Sequence, residues 1–272
     1  MTDRRRTGAV NSLTSGALDL PASGVRFADR HDAGRRLAAL VADLHLDEPL
    51  VVGIPRGGVP VAAEVALALK APLDIVVVRK VGAPLNPEYA LGALAEGDVS
   101  VVDQETARLL GLSPTELQNV VGHARQELSE RMRRYRADNP PVPLVGRTVV
   151  LVDDGLATGR TAQAAARSLR RRGAARVILA VPVAAPESLR SMRHLVDDVV
   201  CVEMPEELWA IGLWYEDFRP TSDQEVADLL AERTAARVPP PRGPQHPTAI
   251  QPPSVELIEG PAPAEDSSVP PD

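Results

Sequence analysis

Cysteine, histidine and aromatic residues are scarce in this chain. Its one cysteine, Cys201, cannot form an internal disulfide, and five histidines with no HxH or HxxxH spacing supply no chelating set for a transition metal. That pattern fits a reducing compartment and excludes a structural zinc site. No apolar run approaches the length of a membrane span. Residues 1–24 open on MTDRRR but lack the apolar core of a secretory signal. The expected address is the cytoplasm, with no membrane partner. Positive charge is also in deficit: 30 Lys and Arg against 37 Asp and Glu leave a net charge of -7. A general nucleic-acid binder needs a broad basic excess, so a nucleic-acid partner is not expected and any phosphate site must be local.

Proline is abundant, but it gathers at the end. From Val238 to Asp272 the composition is Pro, Gly and acidic residues, which bury too little apolar surface to offset the entropy of ordering. The expected organisation is a disordered segment over 1–24, one folded domain over 25–237 and a disordered Pro-rich tail over 238–272. Within the domain, β-branched runs alternate with helical patterns, the signature of a parallel sheet flanked by helices. The runs are Leu50–Ile54, Leu73–Val78, Thr148–Asp153, Ala175–Val181 and Asp198–Val202. Helices are expected over Asp32–Leu44, Val59–Lys70, Ser113–Ala137, Gly159–Arg172 and Pro186–His194. From Arg79 to Val102 the alternation breaks around Gly and Pro, which reads as a long loop with a hairpin suited to act as a lid. The basic runs Arg131–Arg136 and Ser168–Arg176 read as solvated helix faces.

The most specific segment is VVLVDDGLATGRT, Val149 to Thr161. An apolar strand ends in Asp153 and Asp154, and a small-residue loop leads into a helix. Backbone amides of Ala157, Thr158, Gly159, Arg160 and Thr161, with the two threonine hydroxyls, can cradle a dianionic phosphate at that helix start. Two acids beside a phosphate would repel it unless they accept hydrogen bonds from hydroxyls held next to it, as in a ribose phosphate. Upstream, the run Leu50–Ile54 ends in Pro55-Arg56-Gly57-Gly58. The glycine pair lets amides turn toward an oxyanion, and Arg56 adds a fixed positive charge. Arg79 and Lys80 stand at the end of the next apolar run.

The segment Val149 to Thr161 resembles the phosphoribosyl pyrophosphate motif of the type I phosphoribosyltransferases. The resemblance implies a Rossmann-like α/β domain with a parallel sheet of about five strands, a flexible loop or hairpin and a small C-terminal hood. It further implies that Asp153 and Asp154 hold the ribose hydroxyls and that Ala157 to Thr161 hold the 5-phosphate. Arg56, Gly57, Gly58, Arg79 and Lys80 would receive the pyrophosphate, with Arg56 and Lys80 helping it leave. Gly155 departs from the apolar residue usual at its place, and Arg160 from a Gly or Lys. The segment WAIGLWYEDF is similar to the hood of the hypoxanthine and guanine enzymes. On that alignment Trp209 and Ile211 would contact a base, and Glu216, with Asp153, would lie near magnesium. The lysine those enzymes use for a 6-oxo group is absent.

The implied activity is transfer of a 5-phosphoribosyl group from its pyrophosphate to a nitrogenous acceptor, a nucleobase by preference, with Mg²⁺ and release of pyrophosphate. A homo-oligomer is compatible with the resemblance. Where the purine enzymes carry an aspartate as base, this chain has Ala157, so the expected proton acceptor is Glu88 on the lid, with Glu96 as the alternative. The competing expectation is a regulatory protein that binds the phosphoribosyl ligand without catalysis and meets a partner or RNA through its basic helices.

Overall fold

β-branched runs become buried strands here because helices cover both faces of the sheet they form. The computed structural model describes residues 26–84, 86–137 and 140–234, with residues 86–90, 233 and 234 by backbone alone. The expected N-terminal segment and Pro-rich tail lie outside the described residues. In chain order the elements are α1 (Arg30–Ala42), β1 (Leu50–Gly53), α2 (Gly58–Leu69), β2 (Leu73–Ile75), β3 (Val78–Ala83), β4 (Asn86–Ala95) and β5 (Val99–Val102). They continue with α3 (Gln104–Leu109), α4 (Pro114–Arg136), β6 (Thr148–Val152), α5 (Arg160–Arg171), β7 (Arg176–Val183), α6 (Pro186–Met192) and β8 (Asp198–Glu203). A 3-10 turn (Ile211–Trp214) and α7 (Asp223–Thr234) follow.

Five parallel strands form one sheet in the order β2-β1-β6-β7-β8. The chain runs outward from β1 in both directions, so the strand order reverses between β1 and β6. Ligands of open α/β sheets bind at such a switch point, beyond the carboxyl ends of the strands. The PRGG loop follows β1 and the acid pair follows β6, so this topology makes the two candidate phosphate loops neighbours.

The segment read as a long loop with a hairpin is a three-stranded antiparallel sheet, β3-β4-β5: the hairpin is there, but strands take most of the stretch assigned to the loop. Of its glycines, Gly97 marks the turn between β4 and β5 with a φ of 83°, whereas Gly92 is a close-packing position within a strand. A Cβ on Gly92 would stand 2.1 Å from the Val101 carbonyl oxygen, and the register shifts on both sides of Gly82. The apolar run Leu73–Val78 is likewise two strands, not one. The Val76 amide still donates to Gly53 of β1, whereas the Val77 carbonyl already accepts from Glu96 at the end of β4. Arg79 and Lys80 therefore sit inside β3, not at the end of a parallel strand.

Two arginines expected on solvated faces are instead half-buried and paired with buried acids. Arg136, at the end of α4, donates to Asp74 at 2.5 Å, to the Ile75 carbonyl at 2.7 Å and to Glu96 at 3.0 Å. Arg172 pairs with Glu96 at 3.5 Å. The second oxygen of Asp74 accepts from the Val142 amide at 3.0 Å. This four-charge network joins β2, the turn after β4 and the ends of α4 and α5. Helix α7 seats Val226 and Leu230 in the same core as α2 and β2. At its first turn Asp223 accepts from the Tyr135 hydroxyl and from Arg134 of α4.

Candidate phosphoribosyl site

The loop between β6 and α5 is pinned from below and open above. Leu156 donates to the Val183 carbonyl at 2.8 Å and accepts from Ala185 at 3.0 Å, extending the ladder of β7. The Ser188 hydroxyl donates to the Ala157 carbonyl, and Ser191 and Gln163 brace Ser188 from behind. Sequence reading had missed these three residues. Ala157 and Thr158 are exposed, and Gly159 takes a φ of 74° that only glycine adopts without strain. Among the described residues nothing accepts from the amides of Ala157, Thr158 or Gly159, so they face outward at the positive end of α5. That is a cradle for a dianion. The Arg160 side chain is not part of it. It turns away to the Leu91 carbonyl and to Asp103 at 3.2 Å, leaving only its backbone in the loop.

Each of the two acids has one oxygen held and one open. Oδ1 of Asp153 accepts the Asp154 amide at 3.0 Å, and Oδ2 of Asp154 receives both Nε and Nη2 of Arg30 at 2.9 Å. The remaining oxygens, Oδ2 of Asp153 and Oδ1 of Asp154, have no partner among the described residues. Burial, then the neighbouring Asp154 charge, pushes the Asp153 carboxyl well above the usual range. Burial also raises Asp154, against the opposing charge of Arg30. Lys80 lies near enough to favour ionisation of both.

The PRGG loop packs against these acids. A Cβ on Gly57 would stand 2.0 Å from Oδ2 of Asp154, and one on Gly58 would stand 2.7 Å from the Val152 carbonyl oxygen, so both glycines are sterically required. The Pro55–Arg56 peptide is cis. Arg56 is 41% exposed and rests 3.7 Å from Asp223, with donors to spare for an anion. Arg79 is not brought to this place; it pairs with Glu127 on α4.

The hood closes over the acids through Gly155. A Cβ there would meet the Ile211 side chain at 2.6 Å, which accounts for glycine where the motif usually carries an apolar residue. Ile211 thus covers the ribose loop. Phe27, Tyr215 and Phe218 stack together, Tyr215 donates to the Asp154 carbonyl at 2.6 Å, and the strand-like pairing of Phe27 with Trp214 and Glu216 closes the edge. Trp209 is 83% exposed and Glu216 is exposed, so neither is fixed against the acids here. Gly155→Val is expected to displace the hood and lower stability by about 1–3 kcal/mol, as overpacking does. Urea unfolding measures it, and an unchanged midpoint would show that Ile211 moves freely.

Of the two candidate bases, Glu88 has its backbone in β4 rather than in a loop. Glu96 is buried between Arg136 and Arg172, with its carboxylate committed to both. It is unavailable for proton transfer.

Two candidate anion cradles flank an acid pair at the switch point of an α/β sheet. The phosphoribosyl transferase domain model matches residues 26–216, and the chain belongs to that family. It is 44% identical over 204 residues to a Mycobacterium tuberculosis protein called "Putative phosphoribosyl transferase", covering 75% of this chain and 46% of that relative. The chain thus spans just under half the length of this curated relative. An adenine phosphoribosyltransferase of the same organism is 31% identical over 184 residues, or 63% of this chain and 70% of the relative. Among solved structures, the protein TT1426 from Thermus thermophilus is 43% identical with a TM-score of 0.65, covering 76% of this chain and 99% of that one.

Proposed function

We propose that the protein transfers the 5-phosphoribosyl group of phosphoribosyl pyrophosphate to a ring nitrogen of a nucleobase-like acceptor. The bond from the anomeric carbon to pyrophosphate breaks and a carbon–nitrogen bond forms, while the acceptor loses its N–H proton. The observation that carries this reading is the acid pair with one open oxygen on each residue, set between two anion cradles. Two adjacent acceptors suit the two hydroxyls of a ribose. The amides of Ala157 to Gly159 suit its 5-phosphate, and Arg56, with Lys80 near the acids, suits the leaving pyrophosphate. The adenine-specific name of one relative supports a nucleobase acceptor.

Magnesium fits as part of the substrate. Among the described residues no three His, Cys, Asp or Glu side chains gather as a resident metal site. Mg²⁺ characteristically binds through substrate phosphates and one or two carboxylates. Asp153 would reach such an ion, whereas Glu216 on the exposed hood would contribute only if the hood closed. The ion would neutralise charge on the departing pyrophosphate.

The regulatory reading draws no support from the basic runs. Arg134, Arg136, Arg170, Arg172 and Arg176 are paired with Asp223, Asp74, Asp197, Glu96 and Asp198. Pyrophosphate release across a panel of bases, with phosphoribosyl pyrophosphate and Mg²⁺, tests the function; no release with any base overturns it. With Ala157 unable to move a proton and Glu96 committed, Glu88 remains as the proton acceptor. Glu88→Gln should then lower kcat roughly 10²-fold with little change in ligand affinity. Full turnover by that variant would remove the assignment.

A further inference from the structure

Arg30 stands 124 residues before Asp154 and outside every motif, yet its guanidinium touches three parts of the candidate site. Nε and Nη2 hold Oδ2 of Asp154 at 2.9 Å, and Nη1 donates to the Arg219 carbonyl at 2.8 Å. Its plane lies over the Phe218 ring at 3.9 Å from the centroid. A Cβ built on Gly57 of the PRGG loop would stand 3.2 Å from Nε. Only 11% of the side chain is exposed. Two donors converge on one oxygen, a third reaches a carbonyl and Cζ lies over a ring, so arginine is not interchangeable with lysine here.

Local structure sets this placement. Arg30 is the first residue of α1, whose start is fixed by Asp29 accepting from the Asp32 amide at 2.7 Å. Phe27, just before it, is buried in the hood and bonded to Trp214. The beginning of α1 is thereby tied to the hood while the side chain of Arg30 reaches across to the acid.

We propose that Arg30 is the positioning residue of the ribose site: by holding Oδ2 of Asp154 against the hood, it presents Oδ1 to a ribose hydroxyl. The inference rests on the ribose reading given above. It also makes the hood part of that site, because Phe218 and the Arg219 carbonyl fix the plane of the guanidinium. Without this grip the Asp154 side chain can rotate, and the pair ceases to match two adjacent hydroxyls. A general anion attractor would behave differently. It would strengthen phosphoribosyl pyrophosphate and plain pyrophosphate alike.

The test is calorimetric titration of the full chain with phosphoribosyl pyrophosphate and, separately, with inorganic pyrophosphate, both with Mg²⁺. Arg30→Gln is expected to weaken the first about 10- to 100-fold and the second less than about 3-fold, in a protein that still unfolds cooperatively above the titration temperature. Arg30→Lys, which restores charge but neither fork nor stacking, is expected to recover only part of the loss. Should Arg30→Gln fail to fold, Phe218→Leu removes the ring beneath Arg30, with its contact to Tyr215, but leaves the grip of Arg30 on Asp154, and is expected to weaken phosphoribosyl pyrophosphate selectively, about 3- to 10-fold. Wild-type affinity in the folded Arg30→Gln protein, or equal loss for both ligands, overturns the proposal. Absence of phosphoribosyl pyrophosphate binding by the unaltered protein overturns the ribose reading itself and this inference with it, a result distinct from failure of the variant alone.

Discussion

Replacing Asp153 and Asp154 together by asparagine is expected to abolish measurable binding of phosphoribosyl pyrophosphate while leaving the domain folded. Each acid offers one open oxygen, and a charge-assisted hydrogen bond of this kind contributes about 1.5–3 kcal/mol. Loss of both corresponds to roughly 10²- to 10⁴-fold in affinity. The fold should persist because Tyr215 bonds to the Asp154 backbone, and Arg30 keeps its Arg219 and Phe218 contacts. Stability should moreover respond to pH in a characteristic direction. Burial raises both carboxyls above their unfolded values. Below the ordinary carboxylate range both folded and unfolded chains hold these protons. As pH rises from there toward the raised folded values, the unfolded chain ionises first and stability falls. The double variant lacks that contribution, so from about pH 4 to about pH 7 its urea midpoint should fall less, or rise more, than that of the wild type. Undiminished calorimetric affinity would eliminate the ribose assignment.

Arg136→Met is expected to destabilise the domain by about 3–5 kcal/mol, the loss typical of removing one partner from a buried ion pair. The penalty comes from what remains. Asp74 and Glu96 are each under a tenth exposed; Arg172, at 3.5 Å from Glu96, would be the one cation left of the network, beside the amides of Ile75, Val142 and Val77. The Ile75 carbonyl would also lose its donor. Methionine fills the volume without charge, so a smaller loss, below about 1 kcal/mol in urea unfolding, would mean that water enters and solvates the two acids. Phosphoribosyl pyrophosphate affinity of the folded fraction should not change, since among the described residues no member of the network is bonded to Asp153, Asp154 or the PRGG loop.

The β-branched runs marked four of the five sheet strands to within two or three residues, because buried parallel strands need continuous apolar sequence. The same continuity hid the break at Val76 and Val77, where the chain leaves one sheet for another without a polar residue to announce it. Two helices escaped notice although their caps were readable. Asp103 accepts from Thr106 before α3, and Ser222 accepts from Glu225 before α7, where Val226, Leu229 and Leu230 follow at helical spacing. The two candidate loops were legible as turns from strand to helix because their signals, an apolar run followed by small residues and a helix, are local. Arg30 and the Arg136 network were not, since each pairs residues 40 to 124 positions apart and no local pattern records such a partnership.

Helix α7 begins seven residues after the stretch matched by the family model, which ends at residue 216. Homology alone would therefore suggest a dispensable appendage. Its anatomy says otherwise: Asp223 ties α4 to the neighbourhood of Arg56, and Val226 and Leu230 are sealed between α2 and β2. A chain cut at the family boundary would expose an adhesive apolar seam and unmoor the cation beside the PRGG loop. The packed unit of this protein thus extends past the stretch that the family model matches, and a transplant of the domain into another polypeptide would carry α7 along to keep that packing.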